Sequence, residues 1–457
     1  MLLSLKKINF ETFLINFLFS FIPISFIGGN LILNLNILLF IIITIYFHGK
    51  DALKINLNSI DKLIIVFFGY VLFAGLLNNF FFKDSKIFPD NAIIIKTILY
   101  LRFLFLYFAI RILIEKDVLN FKSFLTFCSI CSYFVCIDLI YQFNVGNDIF
   151  GYTSNDPRRL AGPFGDENIA GSYLQRFAIF TFFLILLFLD YKNKIYLALT
   201  LLATFILIFT SLIIAGNRIP LILFLTLIVC VFSFNKTMRK YLIAFVAFAS
   251  LIFAISWSVN PNIKNHFSHF NHKVTEFVDF FSTVIIKNKK SVMKDLPDNV
   301  KGQYEITVNG KVIQIPNVYI KEFNSGYQTW KQNKFIGGGI KSFRKNCTHS
   351  GKSLNILNCS THPHNYYLEI LSELGIIGFV LLIFIFSKVF YDILIKRYMS
   401  DYRFKKNDII IPFMFLFFLE IFPIRTTGSF FTTGNATYIF LVMAITIALS
   451  QSNDKKI

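Results

Sequence analysis

Two histidines flank a proline in the stretch THPHNYYLEILSELGIIG, residues 361–378, where a long polar segment enters an apolar run of membrane length. Imidazole is the side chain whose proton changes hands near neutral pH, so His364 is the candidate general base, with His362 as the alternative. Asn365 stands where a helix N-cap belongs, its side-chain oxygen able to accept a backbone N–H of the first turn. Glu369 and Glu373 follow one turn apart on one helix face. They either orient the imidazole or complement the positive end of the helix. Imidazole and carboxylates at the edge of the hydrocarbon point to a site, not to a lipid anchor.

Three more polar clusters could meet it. RRLAGPFGDENIAGSY, residues 158–173, places Arg158 and Arg159 before a Gly-Pro turn and Asn168 at the start of the next apolar run. Arginine forks bind phosphate oxygens in pairs, and a helix N-terminus adds its own positive end; the plain alternative is a snorkelling pair among lipid headgroups. Ala215-Gly216-Asn217-Arg218 is a tight turn that presents Arg218 at the surface, as phosphate ligand or as interfacial anchor. PIRTTGSFFTTGN, residues 423–435, adds Arg425 and a Ser/Thr lining. The glycines of KFIGGGIK could cradle phosphate through backbone amides, but they form neither a Walker loop nor G-x-G-x-x-G after a strand, and are read as shaping their loop. His266, His269 and His272 wrap too far around a helix to share a metal and are read as solvated.

The elements that position these groups are membrane helices. The 457 residues are 55% hydrophobic and 16% charged, with mean hydropathy +0.61; soluble domains carry about a quarter charged residues. Apolar runs cover residues 13–27, 31–47, 63–77, 92–114, 121–143, 170–189, 195–214, 219–234, 241–259, 366–390, 409–422 and 436–450, which predicts an all-α polytopic membrane protein of about twelve transmembrane helices. Lysines and arginines gather in alternate short loops, from Lys6 and Lys7 through Lys116 and Lys122 to Lys455 and Lys456. The positive-inside rule then leaves both termini in the cytoplasm. The net charge of +19 is therefore topological, and its dispersal between the runs argues against a nucleic-acid partner. With no A-x-A-like cleavage site after the first run, it is read as a retained span.

The organisation is helices over 1–259, an outer loop over 260–364, and helices over 365–457. Within the loop, apolar residues from Ile263 through Phe267 and Phe270 to Val284 describe an amphipathic stripe. EITV-NG-KVIQI is a hairpin pattern around Asn309-Gly310, and a short helix is expected over 322–331. Cys128, Cys131, Cys136 and Cys230 lie in apolar runs as packing residues. Cys347 and Cys359 are the pair left in the outer loop, an oxidising location, and are expected to form a disulfide. Ionisable residues inside runs need partners. Lys96 and Asp138 are expected to pair, while Arg102, near mid-depth, faces either a lipid pyrophosphate or a packed cavity.

The order His-Asn-x-x-Leu-Glu-x-x-x-Glu-x-Gly-x-x-Gly, residues 364–378, resembles the signature of the O-antigen ligase/polymerase superfamily of bacterial membrane glycosyltransferases. Arg-x-x-Gly-Pro-Phe followed by Asn168 resembles its pattern too and singles out Arg159; the Gly216–Arg218 turn and residues 335–339 do likewise, although Asn217 stands where Ser is more usual. The resemblance implies a GT-C-like fold in the bacterial inner membrane with the site on the periplasmic face. It further implies an undecaprenyl-pyrophosphate-linked glycan donor, lipid A-core or a growing glycan as acceptor, membrane lipids as surroundings, and neither metal nor nucleotide; the lack of a D-x-D motif agrees. Arg159 and Arg218 would then neutralise the departing pyrophosphate while His364 deprotonates the acceptor hydroxyl. Ligase activity is preferred over polymerase, on HPHNYYLEILSELGIIG and FPIRTTGSFF. A flippase or exporter would need broken polar spans at the midplane and often repeated halves.

Overall fold

The computed structural model describes residues 9–52, 54–80, 92–154, 158–189, 193–235, 237–261, 263–265, 267–268, 305–308, 311–314, 318–347, 359–398, 409–423 and 428–451. Arg425, the three loop histidines His266, His269 and His272, and the stripe from Phe270 to Val284 lie outside these residues.

Backbone in hydrocarbon must satisfy its own hydrogen bonds, and the apolar runs do so as helices. The first six are α1 (Phe10–Ile27), α2 (Gly29–Ala52), α3 (Ser59–Phe80), α4 (Ala92–Tyr100), α5 (Arg102–Glu115) and α6 (Phe121–Val145). Then follow α7 (Ala170–Phe177), α8 (Ile179–Phe188), α9 (Lys194–Ile214), α10 (Arg218–Phe234) and α11 (Leu242–Val259). In the outer loop, strands β1 (Glu305–Val308) and β2 (Lys311–Gln314) pair antiparallel with Val308 opposite Lys311, so the expected hairpin forms across a two-residue connection. Helix α12 (Val318–Gln332) and the short α13 (Phe343–Asn346) complete the described part of the loop, and α14 (Tyr366–Val389), α15 (Ile410–Glu420) and α16 (Thr433–Gln451) close the chain.

Among the described residues ten helices are long and apolar enough to cross a membrane; α10 and α15 are apolar but shorter. The structure therefore supports a multi-pass helical membrane protein without fixing the count at twelve. The runs at 92–114 and 170–189 each form one span, Ala92–Glu115 and Ala170–Phe188. The backbone stays right-handed helical at the α4–α5 junction, Leu101 (φ −58°, ψ −20°), and at the α7–α8 junction, Ala178 (φ −68°, ψ −23°).

Helix α16 is the axis of the bundle, with 83% of its apolar window buried, and it packs against α5, α15 and α2. Lipid tails are as apolar as leucine, so burying apolar surface does little to choose which helices meet. Polar pairs choose instead, one at each end of α16. At its C-terminal end Arg111 of α5 pairs with Asp61 of α3 at 3.1 Å and reaches Gln451 at 2.6 Å. The Tyr107 hydroxyl donates to the same Asp61 at 2.5 Å. At the N-terminal end Arg176 of α7 meets Glu420 of α15 at 2.5 and 3.2 Å and Asn435 of α16 at 2.7 Å. Tyr366, the first residue of α14, donates to Glu420 at 3.1 Å, and Tyr438 caps the carbonyl of Arg176 at 2.9 Å.

The expected Lys96–Asp138 pair gives way to a different arrangement. Helix α4 packs on α3 and α5, whereas α6 packs on α1, α8 and α9. Asp138 accepts the Ile149 N–H at 2.7 Å and ties down the loop that follows its own helix. Helical spacing supplied similar depth for the two residues but not neighbouring helices.

Because Arg176 and Glu420 are both buried, losing one partner strands a charge. Glu420→Ala is expected to destabilise the purified protein by about 3–5 kcal/mol in thermal unfolding, and Arg176→Met with Glu420→Met to recover most of the loss. A double variant as unstable as the single one would show that the pair does not set the packing.

Candidate functional site

The arginine side is built on the end of α6. Gly146 closes that helix in the left-handed conformation, and the loop then folds back on it. Gln142 accepts the Gly162 N–H at 2.9 Å and donates to the Tyr152 carbonyl at 3.3 Å. Asp148 holds the Tyr152 N–H at 2.7 Å, and the Ser154 hydroxyl donates to the Arg159 carbonyl. Arg158 and Arg159 are left exposed on this sewn-down loop.

The Ala215–Arg218 turn packs directly against them. Gly216 has φ +66°, and a Cβ there would stand 2.1 Å from the Arg158 carbonyl oxygen, so glycine is required twice over. Asn217 clasps the third segment: its side-chain oxygen accepts the Gly171 N–H at 3.1 Å and its amide donates to the Asn168 carbonyl at 3.0 Å. A serine could not span both with one hydroxyl, which gives this departure from the usual residue a structural role. Arg158, Arg159, Asn168 and Arg218 thus share one surface, with Arg218 heading α10.

The histidine side begins at Asn365, the N-cap of α14. Its side-chain oxygen accepts the N–H groups of Tyr367 and Leu368 at 3.0 and 3.1 Å, worth about 1 kcal/mol. Its amide donates to the Pro423 carbonyl at 2.8 Å. His364 adopts φ +51°, a strained position for a non-glycine residue, and its Nε2 lies 3.8 Å from Oε1 of Glu322 on α12. The His362 ring lies 4.3 Å from that of His364, tilted by 47° to it. Thr361 meets His362 Nδ1 at 2.9 Å, while Nε2 is buried without a hydrogen-bond partner among the described residues. Burial pushes the His362 imidazole down to about 4, with His364 and Lys341 adding to the effect. Helix α12 seats closely on the motif: a Cβ on Gly326 would lie 3.0 Å from Leu368 and 3.1 Å from Pro363. Cys347 and Cys359 are joined in a disulfide with Cα atoms 5.6 Å apart, holding the segment before the motif to α13.

Glu369 and Glu373 have partners other than the imidazoles. Glu369 is buried and accepts the Ser429 hydroxyl at 2.5 Å and the Phe430 N–H at 2.6 Å. Glu373, also buried, accepts the N–H groups of Lys341 and Phe343 at 2.6 and 3.3 Å. The loop at 335–339 inserts where α14 is interrupted at Gly375 (φ +66°, ψ −171°). There Gly339 N–H meets the Glu373 carbonyl at 2.8 Å and Ile376 N–H meets the Lys334 carbonyl at 2.9 Å. Tyr70 donates to the Leu374 carbonyl at 2.7 Å and Asn78 to the Gly337 carbonyl at 3.0 Å. Both glutamates therefore position the loops around the motif. The carboxylate beside His364 is Glu322, which no local spacing in the sequence could reveal.

The two sides lie at one end of the bundle. Arg176 follows Asn168 by about 12 Å along the chain at helical rise, and through Glu420 it reaches Tyr366, two residues after His364. Arg102, at the α4–α5 junction, joins this end through Thr433, the first residue of α16, at 3.2 Å.

Residues 202–383 match the family model described as O-antigen ligase. No curated protein matches the chain. The resemblance to the O-antigen ligase-like superfamily is thereby supported, and the matched stretch holds Arg218, Glu322, the disulfide and the whole His364–Gly378 motif. Arg158, Arg159 and Asn168 precede it.

The lowered titration of His362 has a sign that can be tested. The folded protein resists protonating this ring while the unfolded chain takes up a proton near 6.5, so stability is full above that pH and declines as pH falls toward about 4. His362→Gln is expected to flatten this decline in melting temperature between pH 6.5 and 4. An unchanged slope would mean that the ring is solvated.

Proposed function

We propose that this chain is a metal-independent membrane glycosyltransferase that moves a glycan from undecaprenyl pyrophosphate to an acceptor sugar hydroxyl, acting as an O-antigen ligase on lipid A-core. One observation carries the reading: a cluster of guanidinium groups and a histidine–carboxylate pair share one end of a helical bundle, inside a chain whose segment 202–383 matches O-antigen ligase. The disulfide favours an oxidising compartment for that end, in keeping with a periplasmic site in the inner membrane and cytoplasmic termini.

The reaction needs a nucleophile made from a poor one and a leaving group whose charge is met in advance. His364 takes the proton of the acceptor hydroxyl as its oxygen bonds to the anomeric carbon. The bond from that carbon to the pyrophosphate oxygen breaks, and the electron pair leaves with the pyrophosphate. Arg159 and Arg218 face the growing negative charge, with Arg158 beside them and Asn168 shaping their surface. Glu322 favours the imidazolium that forms on His364. His362 and Asn365 set the position of that ring, Glu369 and Glu373 fix the loops behind it, and Arg425 comes from the neighbouring polar segment.

His364→Ala is expected to reduce transfer from purified lipid-linked donor by at least ~100-fold at normal abundance. Arg159→Lys and Arg218→Lys, which keep charge but lose the fork, are expected to fall by a similar ~100-fold. All assays run with chelator present. Near-normal transfer by the lysine variants would make these arginines membrane anchors, and a strict need for added divalent cation would defeat neutralisation by arginine alone. In a deletion strain, polymer left on lipid carrier beside unmodified lipid A-core means ligase, whereas single-repeat caps mean polymerase.

Glu322→Gln is expected to lower kcat by about ten- to a hundred-fold with little change in donor KM. A loss confined to KM, or none, would remove Glu322 from the proton-transfer step.

A further inference from the structure

Three arginines lie inside membrane-length helices, and two of them have a buried carboxylate: Arg111 has Asp61 at 3.1 Å and Arg176 has Glu420 at 2.5 Å. Arg102 differs. Among the described residues its guanidinium meets only neutral groups, the Leu99 carbonyl at 2.8 Å and the Thr433 hydroxyl at 3.2 Å, with the Phe103 ring 4.5 Å from its central carbon. Its Nε is buried with no acceptor among the described residues. Neutral dipoles and a ring do not offset a full charge held partly out of water, and an arginine in a span ordinarily has an anion beside it.

Its setting indicates where that anion comes from. Arg102, at the α4–α5 junction, is half-buried, while Ile98, Leu99 and Phe105 around it are 53%, 56% and 50% exposed on the outer face of the bundle. That face looks into lipid. Thr433 opens α16, whose N-terminal end adds positive character. A fork, a hydroxyl and a helix start at a lipid-facing surface suit a phosphate monoester or diester whose acyl chains lie along α4 and α5.

We propose that Arg102, with Thr433, holds the phosphate of an anionic lipid, at a site separate from the Arg159–Arg218 cluster. The phosphate belongs either to the glycolipid acceptor or to a bilayer phospholipid. Lipid binding here stands whether or not the transfer reaction above is correct, so the first test does not read activity.

Delipidated protein in detergent is titrated with phosphatidylglycerol, and bound lipid is counted by native mass spectrometry, with diacylglycerol of the same chains as the uncharged control. Wild type is expected to bind one phosphatidylglycerol at least tenfold more tightly than Arg102→Gln, with Arg102→Lys and Thr433→Val intermediate, and to leave diacylglycerol unbound. Should Arg102→Gln fail to fold, the two intermediate variants carry the test. Equal phosphatidylglycerol binding by wild type and folded variants, or equal retention of diacylglycerol, overturns the proposal. The source is then read from two arms. If the occupant is the acceptor, Arg102→Lys raises KM for a phosphorylated acceptor and not for its dephosphorylated form. If it is a bilayer phospholipid, both acceptors behave alike and added phosphatidylglycerol raises the melting temperature of wild type more than that of Arg102→Lys.

Discussion

The buried contact between Arg176 and Glu420 is the constraint on which the rest of this structure depends. It joins α7 to α15, draws in α16 through Asn435 and Tyr438, and reaches α14 through Tyr366. Three of these four helices adjoin a segment of the candidate site: α7 follows the Arg158–Arg159 loop, α14 follows the histidine motif, and the turn before α16 holds Glu369. A charge pair in hydrocarbon is costly unless every lone pair and proton is used. Here the carboxylate receives the guanidinium and a phenol, and the guanidinium also meets an amide. These shared contacts tie the rotation and height of four helices to one another, which apolar packing in lipid does not do by itself.

The same division of labour recurs one layer nearer the surface. Groups that could touch a substrate, Arg158, Arg159, Arg218 and His364, sit on turns. The groups that hold those turns are hydrogen-bonded at both ends of their reach, Asn217 partly buried between Gly171 and Asn168, and Asn365, Glu369 and Glu373 buried on Pro423, Phe430 and Lys341. Turns can present charge to water and ligand, but they need fixed anchors to hold a geometry to tenths of an ångström. The buried amides and carboxylates are those anchors.

What could be read from the chain follows from the range of each rule. Helix capping acts within one turn, so Asn365 was legible as an N-cap and is one; a two-residue hairpin is equally local, and β1 and β2 pair as EITV-NG-KVIQI implies. Hydropathy averages over a whole helix, so it located the apolar runs but passed over the interruption of α14 at Gly375. Partnership across the fold has no such rule. Glu369 and Glu373 stood close to His364 in sequence and face elsewhere, while Glu322 reaches it from a separate helix. Lys96 and Asp138 matched in depth on helices that do not pack together. Charge type was readable; which charge meets which was not.

The break in α14 indicates why the loop glycines and the helix glycine belong together. At Gly375 the helix leaves its path with φ +66°, and a Cβ there would stand 2.1 Å from the Phe335 carbonyl oxygen; at Gly337 a Cβ would stand 2.4 Å from the Glu373 backbone. Two backbones without side chains approach as closely as two strands, and they exchange hydrogen bonds in the same manner through Gly339 with Glu373 and Lys334 with Ile376. Interrupting a membrane helix frees amides and carbonyls that lipid cannot satisfy, and it is tolerated where another backbone takes them up. The Gly-rich loop does that here. In return the break lets Glu373 turn its carboxylate onto Lys341 and Phe343, so that the outer loop carrying Glu322 is fastened to the helix that follows His364. The glycines read as shaping the loop thus also couple it to the membrane bundle, and the meeting of Glu322 with His364 rests on that coupling.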